Sequence, residues 1–232
     1  MKPVANSEER WMSSVNEQVQ TAAIPSWVVD LDSFSRWTDS PEFPSIGRFS
    51  YLNGAIWADL SAEDPFTHNV AKLWISMALT LIAQSRDLGT FFADRVRLRN
   101  DEAGLSTEPD GVLISSHSSQ AGRIRFLDGS NYFTFYGTPD MLLEVVSDSS
   151  ERKDRESLRE AYYKAGVTEY WIADARGESP TIDILGFSRR GFVSSRRQAG
   201  GWVRSRLFGR TFRLVRSDGP DRNPQFTLEH GE

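Results

Sequence analysis

The stretch Pro139-Asp140-Met141-Leu142-Leu143-Glu144-Val145-Val146-Ser147 decides how the rest of the chain is read. Met141 to Val146 is apolar at every position but Glu144, the pattern of a strand covered on both faces. Ser147-Asp148-Ser149-Ser150 follows as helix-cap material, with Asp148 and Glu151 at capping-box spacing. Leu158, Ala161, Tyr162 and Ala165 then recur at i, i+3, i+4 and i+7, which predicts a helix with one buried face, ended by Gly166. Tyr170 to Ala173 reads as a further strand.

Working outward, Gly111 to Ser115 is a short strand introduced by Glu108-Pro109-Asp110, and Phe91 to Leu98 alternates as another. A helix opens near Pro65, with Val70, Leu73, Trp74, Met77 and Leu81 at helical spacing on the face expected to be buried. Phe49 to Leu60 alternates through Asn53-Gly54, a hairpin signal. Residues 116–138 read as a loop and hairpin carrying Arg123, Arg125, Tyr132, Phe133, Phe135 and Tyr136. The fold class is therefore α/β: strands near 91–98, 110–115, 141–146 and 169–173 in a single mixed sheet flanked by helices. Residues 1–45 are a polar extension anchored by Trp27, Val28, Val29 and Phe34, and 46–180 form the core. Residues 181–232 form a β-rich extension of the same domain, in which the ten basic residues from Arg189 to Arg222 are all Arg.

At 232 residues the chain suits one large domain, and its net charge of −5 gives no global attraction to nucleic acid. Zero cysteines exclude disulfides, zinc ribbons, iron–sulfur clusters and thiol nucleophiles, and fit a cytoplasmic protein. His68, His117 and His230 are too far apart for a local HExxH-type site, so a bound metal would be held mainly by carboxylates, as Mg2+ or Mn2+ is. The apolar run from Trp74 to Ala83 is too short to span a bilayer, and the start MKPVANSEER lacks an apolar signal core, so neither membrane insertion nor secretion is expected.

Glu144 carries the chemistry. Ionising an unpaired carboxylate inside Met-Leu-Leu-Glu-Val-Val costs several kcal/mol, so the group must be protonated, paired or metal-bound. Asp140 lies four positions earlier on the same strand, about 13 Å away at about 3.3 Å per residue and too far to chelate the same ion. Asp110 begins another strand, and pairing that strand beside 141–146 would bring the two carboxylates together.

Pro109-Asp110, Pro139 to Ser147, Asp154, Tyr162 and the run Ala165-Gly166-Val167-Thr168-Glu169-Tyr170-Trp171-Ile172-Ala173-Asp174 resemble the Uma-type restriction endonuclease family of the PD-(D/E)XK nuclease superfamily. The resemblance implies a restriction-endonuclease-like fold and in-line hydrolysis of DNA phosphodiesters. It implies Mg2+ or Mn2+ held by Asp110 and Glu144, and the Val145 carbonyl is a candidate third ligand. Two positions depart from the pattern. Where a Lys stands two residues after the Glu, this chain has Val146; where the family places one in the following helix, it has Leu158. Lys153, at the start of that helix, is the candidate catalytic substitute. Glu63 and His68 read as cap or surface residues. Arg196, Arg197, Arg204 and Arg206 are the candidate phosphate contacts, since guanidinium pairs bidentately with phosphate. A homodimer would let two sites cut both strands. The alternatives are a nonhydrolytic nucleic-acid-binding module of the same fold and a protein-interaction domain using the aromatic hairpin Tyr132 to Tyr136. Ser150-x-x-Lys153 spells a serine-hydrolase fragment whose companion motifs are missing.

Overall fold

A computed structural model describes residues 23–94, 96–126 and 134–232. Its centre is a six-stranded mixed sheet in the order Gly191–Ser194, Thr181–Ser188, Glu169–Asp174, Met141–Val145, Gly111–Ser115, Gly89–Ala93. Only Met141–Val145 and Glu169–Asp174 run parallel, joined by the helix Leu158–Lys164 and the wider turn Lys153–Ser157 that precedes it. Both faces of Met141–Val145 are covered, as the apolar run predicts. Met141, Leu143 and Val145 face one core with Ile75 and Leu79 of the helix Val70–Ser85. Leu142 and Val146 face another with Leu158, Ala161 and Tyr162.

A second six-stranded sheet contains the Arg48–Leu52/Ala55–Asp59 hairpin together with Leu105–Thr107, Arg97–Asn100, Thr134–Gly137 and Ile124–Phe126. The hairpin turns at Asn53 (φ 49°) and Gly54 (φ 85°), as its sequence predicts. Phe34 and Trp37 of the helix Leu31–Thr38 are fully buried against Phe49 and Tyr51, so the anchored part of the N-terminal extension packs on this sheet. A third sheet, Val203–Ser205, Arg210–Asp218 and Pro224–Gly231, buries Phe212 and Phe226, with Phe208 from the turn between its first two strands, in the core that contains Ile75 and Leu79.

Three local expectations are corrected. The strand expected over 91–98 is two strands in different sheets. Asp94 adopts a left-handed backbone (φ 54°), its N–H donates to the Asp110 carbonyl (3.1 Å), and the chain leaves the central sheet there. The helix Val70–Ser85 buries Ala71, Ile75, Leu79 and Ile82, whereas Leu73 (56%), Trp74 (44%), Met77 (44%) and Leu81 (62%) are exposed. Apolar residues surround this helix almost completely, so tertiary packing selects the inner face: it packs on Gly89–Ala93 and on Pro224–Gly231. The capping box sits one residue earlier than expected, since the Ser147 N–H donates to Ser150 Oγ (3.0 Å) and the Ser150 N–H to Ser147 Oγ (3.2 Å). In the aromatic hairpin Phe135 is buried against Phe92 and Phe126, while Tyr132 and Phe133 lie outside the described residues. Among the described residues no helix is long and apolar enough to cross a membrane.

Candidate active site

Gly111 pairs with Leu143 in antiparallel register, which puts Asp110 across from Glu144. The Val145 N–H donates to Asp110 Oδ2 at 2.8 Å, tying the two strands together at the level of the carboxylates. Both acids are buried and both line a cleft of about 200 Å3 with Arg48, Glu63, His68, Lys153 and Asp154. Asp140 lies elsewhere: it accepts from the Ser115 N–H (2.7 Å) and the Ser118 hydroxyl (2.8 Å), and is a loop anchor.

The cleft has two electrostatic halves. Around Asp110, cations and acids balance. Arg48 reaches Asp110 Oδ1 (2.8 Å), Glu63 Oε1 (2.6 Å) and Asp94 Oδ1 (3.1 Å). Lys72 Nζ stands 3.4–3.5 Å from the same three carboxylates. His68 lies between Glu63 (Nδ1, 3.3 Å) and Asp110 (Nε2, 3.6 Å). Burial works to discharge this imidazole, but Asp110 and Glu63 overcome it and raise its pKa to about 10. Burial likewise works to raise Asp110, yet His68, Arg48 and Lys72 hold it well below the carboxylate range. The His68 contact and the two neighbouring cations lower Glu63 to about 2.

The half around Glu144 does not balance. Burial, then the charges of Asp154 and Asp110, push Glu144 well above the carboxylate range, and Lys153 offsets only part of that. Its Oε1 accepts from the Tyr162 hydroxyl at 2.5 Å. Asp154 is almost fully buried and is raised by burial and by Asp110, against Lys153 and the Ser150 hydroxyl, which donates to Oδ2 at 2.5 Å. Its Oδ1 is a buried oxygen without a hydrogen bond; the Lys153 ammonium stands off at 3.7 Å. Two buried carboxylates thus share one Lys.

That donor set fits a hard divalent cation, which would neutralise the excess charge and satisfy the orphaned oxygen. Among the described residues no group of three or more His, Asp or Glu side chains is spaced to hold a metal by itself. Mg2+ does not require such a cage, because it is commonly held by one or two carboxylates with waters completing the shell.

The structure therefore brings Asp110, Glu144 and Lys153 to one cleft. It corrects the reading of Glu63 and His68, which belong to the charge network; the helix cap is Asp64, whose Oδ1 accepts from the Phe66 and Thr67 N–H groups. Sequence reasoning assigned no role to Arg48, Lys72, Asp94 or Asp154. Lys72 had a signal: it is the only charged residue between Val70 and Ser85, and it lies four positions after His68. Val146 and Leu158 are fully buried and present no cation. Arg196, Arg204 and Arg206 line a separate groove, while Arg197 turns to Asp183 (2.7 Å) and the Ile182 carbonyl (3.0 Å).

The model of the Uma2 family, described as "Putative restriction endonuclease", matches residues 31–210. This chain belongs to the Uma2 family. Its fold is similar to that in the crystal structure of "a putative nuclease belonging to DUF820" from Anabaena variabilis ATCC 29413. The TM-score is 0.58 at 16% identity, over 78% of this chain and 91% of that one. No curated protein matches the chain. The Uma2 assignment and the restriction-endonuclease-like fold bear out the resemblance carried by Pro109-Asp110 and by the run from Pro139 to Asp174.

Proposed function

We propose that this Uma2 protein is a metal-dependent endonuclease that hydrolyses phosphodiester bonds in DNA. The observation that carries the reading is the unbalanced half of the cleft, where Glu144 and the orphaned Oδ1 of Asp154 face a single ammonium. Asp110 and Glu144 would hold Mg2+ or Mn2+, with Asp154 adding charge from the helix side. A divalent ion bound there supplies a polarised water at neutral pH and neutralises charge growing on the phosphate.

The chain's own groups do the rest. Arg48, His68 and Lys72 keep Asp110 ionised and fixed, so its Oδ2 stays on the Val145 N–H. Tyr162 fixes the rotamer of Glu144 by donating to Oε1. Lys153, which lines the cleft with its ammonium 3.7 Å from Asp154 Oδ1, offers that ammonium to the attacking water or to a phosphate oxygen, in place of the Lys absent at Val146 and Leu158. The same two substitutions favour a second reading, a nucleic-acid-binding module that no longer cuts. Calorimetric titration of Mn2+ into wild type and Glu144→Gln tests the site: heat is expected in wild type only, and equal binding in both would remove Glu144 as a ligand.

A further inference from the structure

The floor of a second groove, of about 430 Å3, is Glu169 at the start of its strand in the central sheet. This carboxylate is buried and saturated. Oε1 accepts from the Arg206 N–H (2.7 Å) and the Leu207 N–H (3.0 Å), and Oε2 from Trp171 Nε1 (3.0 Å) and the Ser205 hydroxyl (2.6 Å). Its charge is therefore spent on holding the 205–207 turn, above which the side chains of Arg196, Arg204 and Arg206 line the groove.

All three arginines are exposed. Among the described residues the side chains of Arg196 and Arg206 have no hydrogen bond and no carboxylate partner, and Arg204 has only the Gly209 carbonyl at 3.3 Å. Their neighbours differ: Arg197, Arg213 and Arg216 are paired with Asp183, Glu229 and Glu178. Three guanidinium groups on one groove with no carboxylate partner among the described residues, in a chain of net charge −5, form a local reversal of sign. Each carries a planar fork of N–H donors that matches a phosphate oxygen pair. The wall is apolar: Phe187 (46% exposed) stacks on Tyr163 at 5.1 Å, and Val193 is 60% exposed.

We propose that this groove binds the phosphodiester backbone of duplex DNA outside the segment that is cut, an inference that rests on the nuclease reading above. Three guanidinium groups spread along an open groove suit a polyanion of regular spacing better than a single phosphate, for which the described lining residues offer no converging buried donors. Glu169 lies three residues along its strand from Ile172, the partner of Glu144, and the groove extends across the two neighbouring strands towards Val193. At about 3.3 Å per residue and about 4.8 Å per strand, Glu144 and Glu169 are about 11 Å apart in the plane of the sheet, and their side chains are further apart because Glu169 shares the face of Trp171 while Glu144 shares that of Ile172. A duplex must then extend at least about three base pairs past the cut to reach both.

The test is fluorescence anisotropy with the full chain and a labelled duplex of about 30 base pairs, in EDTA so that binding is read without cleavage, across a salt series. The variant is Arg196→Ala/Arg204→Ala/Arg206→Ala; Arg189→Ala/Arg190→Ala at the exposed hairpin tip is the charge control. The expected result is binding weakened at least about tenfold near 0.1 M salt, with the slope of log K against log salt flattened by about 2.7, the release from three phosphate contacts. The control should retain most of the wild-type slope. Equal slopes in wild type and the triple variant, or an equal loss in the control, would overturn the groove. So would competition by a polyglutamate peptide as strong, charge for charge, as that by unlabelled duplex. If wild type binds as expected but cuts nothing with Mg2+ or Mn2+, the groove stands and the hydrolysis reading falls.

Discussion

Replacing Asp154 by Asn should make the metal-free protein more stable while weakening its response to metal. Asp154 is almost fully buried, its Oδ1 has no hydrogen bond, and burial with the nearby Asp110 raises its pKa from 3.8 to about 6. That displacement corresponds to about 3 kcal/mol of penalty on the ionised form. The sign follows from linkage. A carboxyl raised in the folded state contributes stability below about pH 4, where it is protonated in both states, and loses it as the pH rises through about 6. Asn removes the charge and can still accept from the Ser150 hydroxyl. It also takes the partner from Lys153, which returns about 1 kcal/mol. The net expectation in EDTA at pH 8 is a gain of about 1–2 kcal/mol, or about 2–8 °C in Tm for a chain of this length. Thermal unfolding of wild type and Asp154→Asn, with EDTA and with Mn2+, reads both effects. Wild type should gain stability on adding Mn2+, and the variant should gain markedly less. A variant less stable than wild type in EDTA would refute the reasoning, because Asp154 would then be an ordinary structural partner of Ser150 and Lys153.

Lys153→Met should lower the cleavage rate about 100-fold in a single-turnover assay while leaving Mn2+ binding by calorimetry unchanged, the loss of a group that acts on the transition state. Glu169→Ala should destabilise by about 3 kcal/mol or more in urea unfolding, because four buried or partly buried donors on Trp171, Ser205, Arg206 and Leu207 lose their acceptor. On the helix Val70–Ser85, Ile75→Ala should cost about 2–5 kcal/mol and Leu73→Gln less than about 0.5, by urea unfolding, since Ile75 is fully buried and Leu73 is 56% exposed.

What could be read from the residues was the local part. The strand at Met141–Val145, the helix ending at Gly166 (φ 74°) and the Asn53-Gly54 hairpin are each specified by neighbours in sequence, so apolar period and turn chemistry suffice. The placement of Asp110 across from Glu144 followed from strand geometry and agreed with the family resemblance. What escaped depends on distant contacts. One left-handed residue, Asp94, divides the expected 91–98 strand between two sheets. The inner face of the helix Val70–Ser85 is chosen by the C-terminal sheet, and no periodicity argument on an all-round apolar helix can choose it. Arg48 and Asp94 reach Asp110 from two separate elements, with no spacing to announce them. Among the arginines, Arg204 on the strand Val203–Ser205 and Arg206 in the turn after it reach one groove with Arg196, whereas Arg197 is drawn away by Asp183, a partner distant in sequence.

The central claim is that this cleft hydrolyses phosphodiester bonds with a divalent metal held through Glu144. Supercoiled plasmid incubated with Mg2+, with Mn2+ or with EDTA, using wild type and Glu144→Gln side by side, tests it most directly. Nicked and linear DNA should form with either metal and wild type only, and should vanish in EDTA. Cleavage that persists in EDTA or in Glu144→Gln, or no cleavage by wild type with either metal, would contradict the account.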